Sequence, residues 1–103
     1  MKAEHWCPVA ATISIIGGKW KPMILLQHKD GPRRFNELRR LLPHVTQRMM
    51  TLQLRALEKD GIIHREDFNE NPPHVEYSFT KKGLSLGLIL GEMEHWGEAL
   101  KLQ

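Results

Sequence analysis

Residues Phe35–Gly61 read FNELRRLLPHVTQRMMTLQLRALEKDG. The spacing predicts two helices joined by a turn. Phe35, Leu38, Leu41 and Leu42 recur as one apolar stripe expected to face a core. Pro43 ends that helix because it has no N–H for the next turn. His44 and Val45 form the turn, and Thr46 stands where an N-cap belongs, its hydroxyl placed to accept a backbone N–H. The second helix, Gln47–Asp60, has two faces at about 100° per residue. Met50, Leu54 and Leu57 share one side, flanked by Met49 and Gln53. The opposite side gathers Arg48, Arg55 and Lys59, with Thr51 and Leu52 beside them. Gly61 stops the helix in the usual place for a C-terminal glycine.

A short helix that opens with Gln, Arg and Thr suits base edges in a major groove, since Arg pairs with guanine and Gln with adenine. The plain alternative is a solvated basic face on an ordinary helix hairpin. The stretch after Gly61 favours nucleic acid. Ile62–Phe68 is short and begins with β-branched residues. After the Asn69-Glu70-Asn71-Pro72-Pro73 connection, His74–Phe79 alternates, with Val75, Tyr77 and Phe79 on one face. The two runs form a β-hairpin, placed as the wing of a winged helix. Proline at the tip guards the edge against pairing with other chains. Asn69, Asn71 and His74 are within reach of a phosphate or minor groove, or belong to a solvated loop. Glu70 would repel phosphate.

The chain has 103 residues, a net charge of +3 and a pI near 9.2. One domain over 1–103 is expected, small enough to gain from burying surface in an oligomer. Arg33, Arg34, Arg39, Arg40, Arg48, Arg55 and Lys59 lie between positions 33 and 59, opposed only by Glu37 and Glu58. That concentration is the electrostatic footprint of a phosphate-contacting surface. The candidate DNA-binding residues are Arg34, Asn36, Arg39, Thr46, Gln47, Arg48, Thr51, Leu52, Arg55, Lys59 and His74. The single cysteine, Cys7, excludes an intrachain disulfide and fits a reducing compartment. No secretory leader is visible and no apolar run is long enough for a membrane span, so a cytoplasmic, nucleoid-associated protein is expected.

Met1–Trp6 reads as a poorly ordered lead-in. Pro8 opens a helix at a position where its missing N–H costs nothing. Val9, Ile13 and Ile16 form its stripe up to the Gly17-Gly18 break. Trp20, Met23, Ile24 and Gln27 continue in a second helix. Asp30-Gly31-Pro32 is a turn, and Arg33-Arg34 a short extended piece. Thr80 caps a last helix in which Leu86, Ile89, Met93, Trp96 and Leu100 form a heptad-like seam widened by Leu90. Such a seam either packs on the chain's own core or, as a chain this small favours, joins two subunits through Val9, Ile13, Ile16, Leu86, Ile89, Met93, Trp96 and Leu100. Gly83, Gly87 and Gly91 recur on another flank, as room for an approaching helix or as tolerated weakness. The fold class expected is mainly α with a small β-hairpin: a winged helix-turn-helix with N- and C-terminal dimerisation helices.

Several stretches resemble the HxlR-type branch of the MarR-like winged-helix transcriptional regulators. They are Cys7-Pro8, Ile16-Gly-Gly-Lys-Trp-Lys-Pro22, Gly31-Pro-Arg-Arg-Phe-Asn-Glu-Leu38, Thr46-Gln-Arg-Met49, Leu54-Arg-Ala-Leu-Glu-Lys-Asp-Gly61 and Pro72-Pro-His-Val-Glu-Tyr77. The resemblance implies a prokaryotic cytosolic homodimer, joined through its terminal helices, that binds double-stranded operator DNA as a two-fold symmetric pair. Leu52 departs from it, since relatives often carry Gln there; leucine touches a thymine methyl but cannot hydrogen-bond a base edge. Some members of that family sense oxidants or electrophiles through a cysteine near the N-terminus. A helix start favours the thiolate form of a thiol, so Cys7 is a candidate redox sensor, with His5 or Lys2 nearby and a small molecule or electrophile as inducer.

Nothing supports catalysis. There is no phosphate-cradling glycine loop, no Gly-x-Ser-x-Gly elbow and no His-Glu-x-x-His pair. His5-x-Cys7 is a weak metal signal, and no cofactor is expected. The rival to a DNA-binding regulator is a winged-helix module for protein contact without operator binding. Such a module has no need of Arg48 and Arg55 on the free helix face, and would lack the steep salt dependence of DNA binding.

Overall fold

The computed structural model describes residues 5–102; the expected lead-in lies outside them up to residue 4. In chain order come α1 (Pro8–Ile16), α2 (Trp20–Leu26), β1 (Arg33–Arg34), α3 (Phe35–Leu41), α4 (Gln47–Lys59), β2 (Ile63–Asp67), β3 (Val75–Phe79) and α5 (Lys81–Glu98). A 3-10 turn, Ala99–Leu102, closes it. The expected hairpin forms with slightly shorter strands than the sequence implied, and it gains a third strand. The Arg33-Arg34 piece pairs antiparallel with β3, opposite Tyr77 and Glu76, giving a three-stranded sheet in the order β1-β3-β2. Two residues carry too little periodicity to reveal a strand; the open edge of β3 makes it one.

The helix ends follow local chemistry. Pro8 begins α1, and Gly18 turns the chain at φ 90°, in the left-handed region where a side chain is disfavoured. The Arg34 N–H ahead of α3 donates to Glu37 Oε1 at 2.8 Å. The Thr46 hydroxyl accepts from the Met49 N–H at 3.1 Å, and the Thr80 hydroxyl from the Gly83 N–H at 3.0 Å. Helix α4 ends one residue earlier than the sequence suggested, with Asp60 as its cap. Gly61, at φ 74°, lets its own N–H donate to Glu58 O at 3.0 Å and the Ile62 N–H to Leu57 O at 2.9 Å. That pair of bonds is the Schellman closure, and Leu57 and Ile62 are both buried across it.

The core joins Ile16, Ile24, Leu25, Leu38, Leu42, Val45, Met50, Leu54, Leu57, Ile62, Ile63, Tyr77, Leu86 and Leu90. The Met50/Leu54/Leu57 face of α4 therefore packs inward as its periodicity required. Three expectations change. Leu41 is exposed, because Leu42, just past the helical turn, takes the inward position. Ile16 and Leu86 belong to the chain's own core, so they are not available to a partner. Gly83 and Gly87 make room for the sheet instead of another helix. Gly83 abuts the Ile62 carbonyl and Gly87 the Phe79 ring, whereas Gly91 has open space where a Cβ would stand.

The rest of the seam is solvent-facing. Val9 (66%), Ile13 (55%) and Trp96 (71%) are exposed, with Ile89, Met93 and Leu100. The radius of gyration is 15.1 Å, against about 13 Å for a compact chain of this length. Among the described residues, no single helix is long and apolar enough to cross a membrane.

Candidate nucleic-acid interface

Because α4 buries Met50, Leu54 and Leu57, its opposite face is forced outward. Gln47, Arg48, Leu52, Arg55 and Lys59 are all exposed there. Arg48, Leu52, Arg55 and Lys59 follow one another at spacings of four, three and four residues, which is a single helical line. No ion pair neutralises any of the three cations among the described residues.

The other candidates divide by how they are held. Thr46 already accepts the α4 cap bond, leaving its O–H free to donate. The Thr51 hydroxyl donates to Gln47 O at 2.9 Å and is half-buried, so it shapes the helix side more than it presents a donor. Arg39 is half-buried. Its Nη1 donates to Gln47 Oε1 at 3.5 Å, while its Nε is buried without a partner. Arg39 thus orients Gln47 from α3. Asn36 is exposed on the first turn of α3.

His74 and Arg34 are not the independent contacts the sequence suggested. The His74 side chain is only 16% exposed. Its Nε2 lies 2.6 Å from Glu76 Oε2 and its Nδ1 2.8 Å from Glu70 Oε1. Arg34 Nη2 lies 3.3 Å from the same Nδ1, and Phe68 stacks on the ring at 4.4 Å between centroids. The Glu76 carboxylate, then that of Glu70, hold the ring's pKa above its ordinary 6.5, against burial and the Arg34 charge. Glu70, a poor neighbour for DNA by itself, is answered by this histidine.

Sequence reasoning missed Arg65. It sits opposite Tyr77 in the β2–β3 register, hence on the same face of the sheet. With Tyr77 and with Thr51, Arg55 and Glu58 of α4 it lines a cleft of about 450 Å³ between α4 and the sheet. The two-residue alternation from buried Ile63 would have placed Arg65 on that face. Cys7 is exposed immediately before α1, and its side chain makes no cap hydrogen bond. No group of three or more His, Cys, Asp or Glu among the described residues is arranged to hold a metal.

A capped helix pair whose second helix shows a basic line, followed by a wing, defines a winged helix-turn-helix DNA-binding regulator. The sequence profile of the HxlR-like helix-turn-helix family matches residues 15–103, and the chain belongs to that family. It is 55% identical over 95 residues to the uncharacterized HTH-type transcriptional regulator YdeP of Bacillus subtilis (strain 168), covering 92% of this chain and 74% of that protein. It is 54% identical over 96 residues to the uncharacterized HTH-type transcriptional regulator YybR of the same organism, covering 93% of this chain and 77% of that protein. The redox regulator HypR in its reduced form superposes with a TM-score of 0.88 at 52% identity, covering 92% of this chain and 94% of that one. HypR in its oxidized form superposes with a TM-score of 0.85 at 54% identity, covering 90% and 96%. The protein is a DNA-binding transcriptional regulator of the winged helix-turn-helix type.

Proposed function

We propose that the protein acts in the cytoplasm, at the nucleoid, as a homodimer that places two copies of α4 in successive major grooves of a two-fold symmetric operator. The observation that carries the DNA face is the unpaired line Arg48, Leu52, Arg55, Lys59 on a helix whose other face is locked in the core. Arg34, Asn36, Arg39, Thr46, Gln47 and Thr51 flank it, and Arg65 extends it. The exposed stripe Val9, Ile13, Ile89, Met93, Trp96 and Leu100 supports the dimer, because so large an apolar surface is rarely left to water. Pairing through it would set the recognition helices about 34 Å apart, one turn of DNA. Titration of a DNA duplex at two salt concentrations tests this reading. Affinity should fall steeply with salt as counterions are released; an affinity indifferent to salt would refute it and favour a protein-contact module.

Cys7 supports a second layer. Its thiol is exposed at the head of α1, next to the exposed Val9 stripe, and HypR is described as a redox regulator. With one cysteine per chain, oxidation can give an intersubunit Cys7–Cys7 disulfide, releasing two protons and two electrons to the oxidant. The other products are a mixed disulfide with a small thiol and an adduct with an electrophile. Each alters α1 and through it the spacing of the two α4 helices. Cys7→Ser should bind DNA normally and ignore diamide or a quinone. If the wild type keeps its DNA affinity with Cys7 shown by mass spectrometry to be modified, Cys7 is not a sensor.

A further inference from the structure

We propose that His74 is a proton-controlled latch on Arg34, releasing that arginine to DNA phosphate when the ring is protonated and withdrawing it when the ring is neutral. The latch rests on the placement of Arg34 at the DNA face. Its geometry is independent of that placement.

Three charged groups converge on one imidazole from three segments. Glu76 approaches from β3, Glu70 from the connection between β2 and β3, and Arg34 from β1. Glu66, opposite Glu76 in the register, is turned to His64 Nε2 at 3.8 Å. Phe68 covers the ring face. The Nε2–H donates to Glu76 in either charge state, so the ring stays in place when it titrates. Nδ1 has a choice. Protonated, it donates to Glu70 at 2.8 Å. Neutral, it offers a lone pair, which Arg34 Nη2 at 3.3 Å can donate to and which Glu70 cannot use. Arginine stays charged throughout, so one nitrogen exchanges an acidic partner for a basic one as its proton leaves to solvent.

Both consequences of deprotonation oppose DNA binding. One positive charge disappears beside the phosphate path, and the Arg34 guanidinium is turned toward His74. The Arg34 backbone is already fixed by its N–H bond to Glu37, so the exchange falls on the side chain. The two carboxylates hold the ring's pKa above its ordinary 6.5, so the exchange occurs at higher pH than it would for an unpaired histidine.

Two measurements test the latch. Long-range ¹⁵N NMR of the free protein reads the His74 ring directly. Expected is an Nε2–H neutral tautomer that gains a proton at Nδ1, with the midpoint lowered in E70Q and raised in R34Q. Fluorescence anisotropy with a mixed-sequence duplex of about 30 base pairs then reads DNA affinity at about pH 6 and about pH 8.5. The wild type should lose roughly 3- to 10-fold more affinity than H74Q, whose residual change is that of the other histidines, and its salt slope should fall by about one per half-site. R34Q should fall between the two, because it keeps the loss of the ring's charge and removes only the release of Arg34. Equal pH dependence in wild type and H74Q, or an Nδ1–H neutral tautomer, would overturn the latch. Absence of duplex binding at both pH values, with the expected ring titration, would overturn the DNA reading and with it the release of Arg34 to phosphate.

Discussion

Gly83→Ala and Gly91→Ala are the same substitution in the same helix, and they should have opposite signs. At Gly83 a methyl would run into the Ile62 carbonyl oxygen and stand 2.9 Å from Phe79 Cδ1. Ile62 cannot retreat freely. Its carbonyl accepts the Thr80 N–H at 3.0 Å, and the Thr80 hydroxyl donates to Gly61 O at 2.5 Å. Alanine gains up to about 1 kcal/mol of helix propensity. Against this stand about 1–3 kcal/mol for overpacking and about 1 kcal/mol if the Thr80–Ile62 bond is lost. The net expectation is a loss of about 1–3 kcal/mol. At Gly91 nothing lies within 4 Å of the new Cβ, so the propensity term stands alone and the variant should gain about 0.5–1 kcal/mol. Urea unfolding followed by circular dichroism, at one fixed protein concentration, reads both. Thermal midpoints should separate in the same order, by about 4–8 °C per kcal/mol. A Gly83→Ala variant as stable as the wild type would refute the close-approach argument; so would a Gly91→Ala variant that loses as much as Gly83→Ala.

Arg48→Ala should cost about 1–3 kcal/mol in specific operator binding. Arg39→Ala should weaken every duplex through its lost charge and the operator further through Gln47, which it orients; unchanged affinity in both at moderate salt would remove the assigned face. Trp96→Ser, at an exposed position, should shift sedimentation toward monomer while leaving the circular dichroism unchanged. A wild type that is already a stable monomer at micromolar concentration would sink the dimer. His28 is 2% exposed, with Nδ1 3.0 Å from Ile24 O and Nε2 buried without a partner. Burial pushes its pKa below 6.5, so the unfolded chain protonates first. Its contribution to stability is full at neutral pH and is lost as pH falls through about 6.5 toward the lower folded value. The wild type should therefore lose stability more steeply with acid than His28→Leu does; parallel pH profiles would rule that out.

The order of elements, the inward face of α4, the caps at Thr46 and Thr80 and the stop at Gly61 were all legible in the chain. Each depends on residues within a turn or two of one another, and helix period, capping and glycine conformation act at that range. The outward face of α4 followed by subtraction. Contacts between distant segments were not legible. Leu86 and Ile89 look alike in a heptad, yet only Leu86 meets the core, because α5 docks on the sheet through Gly83 and Gly87. Arg33-Arg34 became a strand because β3 offered an edge. His74 read as a lone loop histidine; Glu76 was two residues away, but Arg34 reaches it across forty. Local sequence decides which bonds a segment can make with itself. Tertiary packing decides which remaining side chains meet, because desolvation and charge pairing depend on distances in space that sequence spacing does not encode.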